Sequence, residues 1–241
     1  MLERHRSLMV LAATVCVAAL TARLGFWQLD RAEQKLAVQV HTVQRQALPK
    51  LTAADLALDE AAAMLQHHRA ASLRGRWLAA HTVFLENRQM QGRPGFVVLT
   101  PLMLGPNDAV LVQRGWLLRD ANDRTRVSAP TLAGDEVEIQ GRIAAPPSRL
   151  MDFGQAGSGA IRQNLELAAF STEIGLKLRP LSILQAQSTR SDDTLLRDWP
   201  SVSSGVAKHH GYAFQWFALS ALSVGLYAWF QILRPRQRRS R

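Results

Sequence analysis

Histidine is the side chain in this 241-residue sequence best placed to hold a metal or move a proton. It occurs seven times, at His5, His41, His67, His68, His81, His209 and His210. Only the last two stand where an imidazole has an evident task, directly before a long uncharged apolar run and close to Tyr212 and Trp216. A neutral imidazole at such a place can ligate haem iron while the aromatic rings pack on a porphyrin face. It serves equally well as an amphipathic anchor that holds a helix end at the right depth, and position alone leaves both open. His67 and His68 are adjacent on an expected helix, so they project about 100° apart and suit a solvated helix end better than a shared metal.

The other familiar arrangements for chemistry are missing. No HExxH pair or EF-hand loop occurs, and no GxSxG elbow. Cys16 is the single cysteine, which excludes an internal disulfide and any CxxC site. The acid pairs Asp135/Glu136 and Asp192/Asp193 fall in loop-like surroundings, where solvated charge is the ordinary role. The chain is therefore expected not to be an enzyme. Three apolar-to-basic junctions remain, Leu24–Lys35, Asn87–Gly95 and Val112–Trp116. In the last, Arg114-Gly115-Trp116 closes an apolar run. Gly115 permits close backbone approach, and the guanidinium beside an indole allows stacking or pairing with a carboxylate. A buried, kinked strand would look the same.

Two apolar spans must position these residues. Gly211–Leu233 is 23 residues long without a formal charge, roughly 34 Å as a helix and enough for a hydrocarbon core of about 30 Å. Tyr212 and Trp216 lie near one end, Tyr227 and Trp229 near the other, as interfacial belts do. Ser7–Leu29 is a second span, with Arg23 near enough to its end to snorkel and Trp27 at the interface. Read as a cleaved secretory signal it would place Leu20 at the −3 position, where a small residue is wanted, so a retained helix is favoured.

Charge fixes the orientation. The net charge of +10 would ordinarily suggest a nucleic-acid binder. Eight Lys and Arg against the single acid Glu3 sit in the two terminal segments, whereas residues 30–210 carry 21 basic and 18 acidic side chains. That distribution is not a groove following a phosphate backbone. Arginine-rich flanks belong in the cytoplasm, giving a cytoplasmic N-tail 1–6, a transmembrane helix 7–29, a periplasmic domain 30–210, a transmembrane helix 211–233 and a basic cytoplasmic tail 234–241. The excess of 25 Arg over 4 Lys points to a GC-rich bacterial genome and hence to a bacterial inner membrane.

Between the spans, Asp30–Leu48 reads as a helical extension ended by Pro49, and Thr52 caps a helical stretch through His68. Short strand-like runs follow at Ser72–Leu78, Thr82–Asn87, Phe96–Leu102, Val110–Leu117 and Val137–Ile143. Turn signals stand at Gly92–Gly95, Gly105–Asp108 and Ala129–Asp135. Asp152–Gly159 reads as flexible, Leu165–Ile174 as a helix, Pro180–Gln187 as a last strand and Ser188–Lys208 as irregular. The expected fold is two transmembrane helices flanking an extracytoplasmic α+β domain dominated by antiparallel strands, as a curled sheet or small barrel. An apolar fraction of 47% with 20% charged residues excludes a disordered or collagen-like chain.

Several pieces, in order, resemble the surfeit locus protein 1 family. Leu24-Gly25-Phe26-Trp27-Gln28-Leu29-Asp30-Arg31 with Lys35 is similar to L-G-x-W-Q-x-x-R-x-x-x-K at the exit of the first helix. Gly75-Arg76-Trp77 and Phe84–Arg88 resemble the first strand pair, and Gly95–Leu102 resembles G-[YF]-x-V-x-T-P-L. Val112–Trp116 is similar to V-N-R-G-W, with Gln113 where Asn is usual. His209–Phe217 resembles H-x-x-Y-A-x-Q-W-[FY]. The resemblance runs from Leu24 to about Trp229 and is thinnest between Arg149 and Trp199. It implies a non-enzymatic assembly factor for haem-copper cytochrome c oxidase, assisting haem a delivery to the catalytic subunit, with haem a synthase and the lipid bilayer as further partners and no nucleic acid. The alternative is a scaffold that stabilises an oxidase intermediate without touching haem. The resemblance also implies His209 as the family's proposed haem ligand; Tyr212 and Trp216 join it as cofactor-binding residues from their position. It implies Trp27, Gln28, Arg31, Arg114, Gly115 and Trp116 as motif residues for fold or partner contact. His210 falls where the family commonly has an apolar residue.

Overall fold

The computed structural model describes residues 2–120, 123, 127, 136–148, 159–186, 194–199 and 205–234. The chain divides into two units, residues 1–41 with 201–241, and residues 42–200. The turn signal expected over Ala129–Asp135 and the flexible stretch at 152–158 lie outside the described residues.

Two long helices supply the described residues of the first unit, the first of them continuing past it to Ala47. The first, α1, runs unbroken over Leu2–Ala47, so the expected apolar span and its extension are one helix. Between Gly25 and Pro49 the sequence holds neither Gly nor Pro and is rich in Ala, Gln, Leu and Arg, all good helix formers. Pro49 then disfavours helical geometry at the residue before it. The later helix, named α4 here in chain order, covers Val206–Tyr227 and passes into a π-helical turn at Ala228–Leu233. Both helices are long and apolar enough to cross a bilayer. Expecting irregular chain through Lys208 was wrong at its end. Gly205, at φ +113, takes the left-handed capping position and the helix starts at Val206.

Among the described residues, the second unit is built on a seven-stranded sheet. Its strands are β1 (Ala70–Trp77), β2 (Val83–Met90), β3 (Arg93–Gly105), β4 (Asp108–Leu118), β5 (Val137–Ala144), β6 (Ile161–Arg162) and β7 (Lys177–Gln185). The order is β1-β5-β7-β4-β3-β2-β6, and β1 also pairs with β3. Five strands therefore close on themselves, with Arg76 opposite Met103 and Trp77 opposite Leu102 at the seam. Closure removes the free edges that an open sheet of these strands would carry. Antiparallel pairs predominate as expected, but β4–β7 and β2–β6 are parallel. No local signal distinguishes a parallel from an antiparallel partner for so short a run.

Strand β4 shows why the barrel holds. It is buried on both faces, as its unbroken apolar run suggests. Val110 and Val112 join Leu73, Leu102, Ile139, Ile143, Leu181 and Ile183 in one core. Ala109 and Leu111 face the other way, into a cluster with Val83, Leu85, Leu99 and Phe170. Phe170 comes from α3 (Leu167–Ile174), which ends in a left-handed Gly175.

The single helix expected from Thr52 onward is in fact two pieces, a 3-10 turn at Ala53–Asp55 and α2 at Glu60–Gln66. Leu56 and Ala57 between them are outside any helix and buried in the first core, so burial overrides helix propensity there. Asp59 Oδ1 accepts from Ala62 N at 2.9 Å and restarts the helix. Hydrogen bonds from Thr52, backbone first and then hydroxyl, hold the Asp55 carboxyl below the usual carboxylate range. Arg179 clamps this segment to the barrel. It grips Asp108 through Nε and Nη2, both at 2.7 Å, and donates from Nη1 to Leu56 O at 2.6 Å. The Gly92–Gly95 turn is displaced toward the N-terminus. Gln91 and Gly92 take positive φ, +52° and +75°, and the strand resumes at Arg93.

Candidate functional site

Residues of α1 at alternating spacings of three and four, Ala18, Thr21, Gly25, Gln28 and Ala32, form one stripe, all buried or half-buried. Contacts along it show α4 running antiparallel. Ser220 Oγ donates to Ala18 O at 2.9 Å. Phe217 meets Phe26 edge to face at 5.1 Å. A Cβ on Gly25 would lie only 2.7 Å from Phe217 Cε1, so glycine is what lets the ring seat there. At the other end of the seam, in the first turn of α4, His209 Nδ1 donates to Gln28 Oε1 at 2.7 Å.

His209 thus lies in the first turn of α4 rather than ahead of it, and its backbone N donates to Gly205 O at 3.3 Å. His209, Tyr212 and Trp216 stand at i, i+3 and i+7 and share a helix face. His209 and Trp216 are half-buried and Tyr212 is exposed. His210 is exposed one residue round the helix. On α1, Arg31 packs over Trp27 with its guanidinium carbon 5.8 Å from the ring centre and donates to Gln34 Oε1 at 3.0 Å. Five of the nine singled-out residues therefore gather at one level of the helix pair, with Trp216 a turn further along α4.

Arg114, Gly115 and Trp116 belong to the barrel unit and are set by its packing. Val98 faces Gly115 while Leu99 faces Gln113, which leaves Arg114 as the extra residue of a bulge. Arg114 is 4% exposed, and its guanidinium carbon sits 5.3 Å from the Trp77 ring centre. Gly115 admits the segment 194–199 across β4, since a Cβ there would come within 2.7 Å of Leu195 Cβ and 3.0 Å of Leu196 O. Trp116 then exchanges two backbone hydrogen bonds with Leu196, at 2.7 and 2.9 Å. Its indole, 2% exposed, donates from Nε1 to Arg88 O at 2.8 Å. Gly95 makes room for that ring on the facing strand. Burial alone pulls the Arg88 guanidinium below the ordinary arginine value, and the Arg142 guanidinium likewise. Gln113 spends its amide on Ser182 Oγ of β7 at 2.9 Å, tying the parallel pair.

His67 caps the end of α2 and His68 follows it, its backbone N donating to Ile143 O at 2.8 Å, with the two ring centres 6.5 Å apart. Burial pulls the His67 imidazole below its ordinary value, and Arg45 adds to this. Among the described residues no three of His, Cys, Asp and Glu gather as a metal site would require.

A sequence model of the SURF1 family matches residues 15–221, which takes in both the helix seam and the barrel. The chain belongs to the SURF1 family. Two curated relatives carry the name SURF1-like protein. That of Rickettsia bellii is 26% identical over 85% of this chain and 83% of its own length. That of Rickettsia felis is 25% identical over 85% of this chain and 88% of its own. The SURF1 family is generally known as one of cytochrome oxidase assembly factors, not of enzymes.

Within this SURF1-family chain the motif residues sort by structure. Gly75, Trp77, Gly95, Arg114, Gly115 and Trp116 build the barrel, whereas Trp27, Gln28, Arg31, His209 and Tyr212 converge on the helix pair. Sequence reading overlooked Thr21, Gly25, Ala32, Ala213 and Ser220 as seam residues. Their three-four spacing on two apolar spans was the available signal. The dependence of Trp116 on Arg88 O and Leu196 carried no signal at all, because both partners are distant in sequence.

Proposed function

We propose that this chain is a bacterial inner-membrane assembly factor for haem-copper cytochrome c oxidase, handling haem a through His209 on its way to the catalytic subunit. The observation that carries this is the 2.7 Å bond from His209 Nδ1 to Gln28 Oε1. It commits one ring nitrogen and leaves the Nε2 lone pair as a ligand, the second-sphere arrangement that metal-binding histidines use. The surroundings fit a porphyrin held by one protein ligand. Tyr212 and Trp216 share the His209 face, and Arg31 and Lys35 stand one and two turns outward of Gln28 to meet propionates. Haem a is cargo here, and its iron chemistry belongs to the oxidase that receives it.

The antiparallel seam also supports the membrane placement. Continued in register it brings Arg234 level with Arg6, so the two basic flanks share one side, as the positive-inside rule asks for two cytoplasmic termini. About 20 residues of helix cross a hydrocarbon core. Counted from that side, the other boundary falls near Phe26, with His209 and Gln28 just outside it. There the site is reachable from the bilayer and from the periplasm, as a carrier between haem a synthase and the oxidase requires.

Absorption spectra test this. Full-length protein purified in detergent from cells making haem a should carry a Soret band that His209→Ala removes, and a clean deletion should lower haem a in the oxidase. A colourless protein that still co-purifies oxidase subunits would support the scaffold instead, and full haem occupancy in the deletion strain would sink both.

A further inference from the structure

We infer that Gln28 is the positioning residue of the His209 site, fixing which imidazole nitrogen bears the proton and which one is presented. The inference rests on the haem-handling function for its purpose but not for its test. Neutral imidazole carries one proton, and which nitrogen holds it follows from the partner of the other. On the facing helix His209 Nδ1 lies within hydrogen-bond distance of a carbonyl oxygen, Gln28 Oε1, which can accept and never donate. That oxygen therefore selects the Nδ1–H form and makes Nε2 the lone-pair nitrogen.

The fold explains why Gln28 can do this. It stands on the buried stripe of α1 between Gly25 and Ala32, so its amide approaches α4 from within the seam. Gly25 lets the helices close where Phe217 seats, and Ser220 bonded to Ala18 O pins the register two turns nearer the N-terminus of α1. Arg31 does not compete for the ring, because it is engaged with Trp27 and Gln34. Gln28 touches no reacting atom. It acts through His209, as the outer partners of metal-bound histidines do, where loss costs about 10 to 100-fold in affinity.

The readout that settles this needs no haem. Full-length protein labelled with nitrogen-15 histidine, in lipid nanodiscs and free of haem, should show His209 at neutral to alkaline pH as the Nδ1–H form. Gln28→Leu, similar in volume but without an acceptor, should move His209 toward the Nε2–H form that free imidazole prefers. Gln28→Glu, which keeps an acceptor oxygen, should restore Nδ1–H, and this rescue separates tautomer control from mere packing. A wild-type His209 in the Nε2–H form, or one unchanged in Gln28→Leu, overturns the inference. A second arm adds haem b to the same three proteins. Gln28→Leu should bind it about 10 to 100-fold more weakly than wild type, and Gln28→Glu should bind at least as tightly with a lower reduction potential. If wild type binds no haem b while the tautomer follows Gln28, haem handling fails and the positioning role stands.

Discussion

Replacing Trp116 distinguishes a residue that builds the barrel from one that greets a partner, and the structure sets the size of the effect. The indole is 2% exposed, donates to Arg88 O at 2.8 Å and fills the space that Gly95 leaves. Trp116→Phe keeps a ring but strands the half-buried Arg88 carbonyl, where the cost reaches at most the about 1 to 3 kcal/mol of an unsatisfied buried group. Trp116→Ala adds an unfilled cavity, and Trp-to-Ala changes in cores cost about 3 to 5 kcal/mol. For a unit of this size each kcal/mol lowers the melting temperature by about 2 to 4 °C. The expected losses are thus at most about 12 °C for phenylalanine and about 6 to 20 °C for alanine. Temperature-resolved limited proteolysis of the full chain in detergent, scored on cuts within the barrel strands, measures both. The backbone pair with Leu196 does not involve the indole, so cleavage at 194–199 should advance no further than cleavage in β4. If Trp116→Ala melts within about 2 °C of wild type while the cells lose assembled oxidase, the barrel role is wrong and the residue is a partner contact.

Two further substitutions probe the other joints. Gly25→Leu should drive Phe217 off its seat and part the helices, so a disulfide between Ala18→Cys and Ser220→Cys, made in a Cys16→Ser background, should form readily with Gly25 and be lost with leucine. Equal cross-linking would mean that the seam does not depend on this glycine. Gly75→Val should destabilise the barrel severely, because its Cβ would fall on the Met103 carbonyl oxygen at the closing pair. Gly105→Ala, whose Cβ meets nothing within 4 Å, should melt within about 2 °C of wild type. Similar losses for both would show that closure through β1 and β3 contributes little.

Much of the local structure was legible because it rests on neighbours in sequence. The expected strand cores from Ser72 to Ile143 lie inside observed strands but for Leu78 and Thr82 at their edges, and Leu165–Ile174 contains α3. Periodicity and turn residues act within a few positions of one another, so the chain announces them. The misses share the opposite character. The segment after Thr52 has helix propensity throughout, yet Leu56 and Ala57 leave the helix because the barrel core takes them in. The chain at Val206–Lys208 looks polar and irregular, yet it is helical and delivers His209 to Gln28. The strand β6 is two residues long and exists only through its pairing with β2.

By itself the sequence determined the two apolar helices, the tilt of charge toward the termini, the strand-rich middle and the residue types of the His209 segment. Each follows from hydropathy, charge and short-range propensity, which a linear string records directly. Only the tertiary structure decided that five strands close into a barrel, that Arg114 and Trp116 are spent on building it, and that Gln28 meets His209 across 181 residues of chain. Those outcomes depend on which distant surfaces come together, and close packing rather than local preference makes that choice.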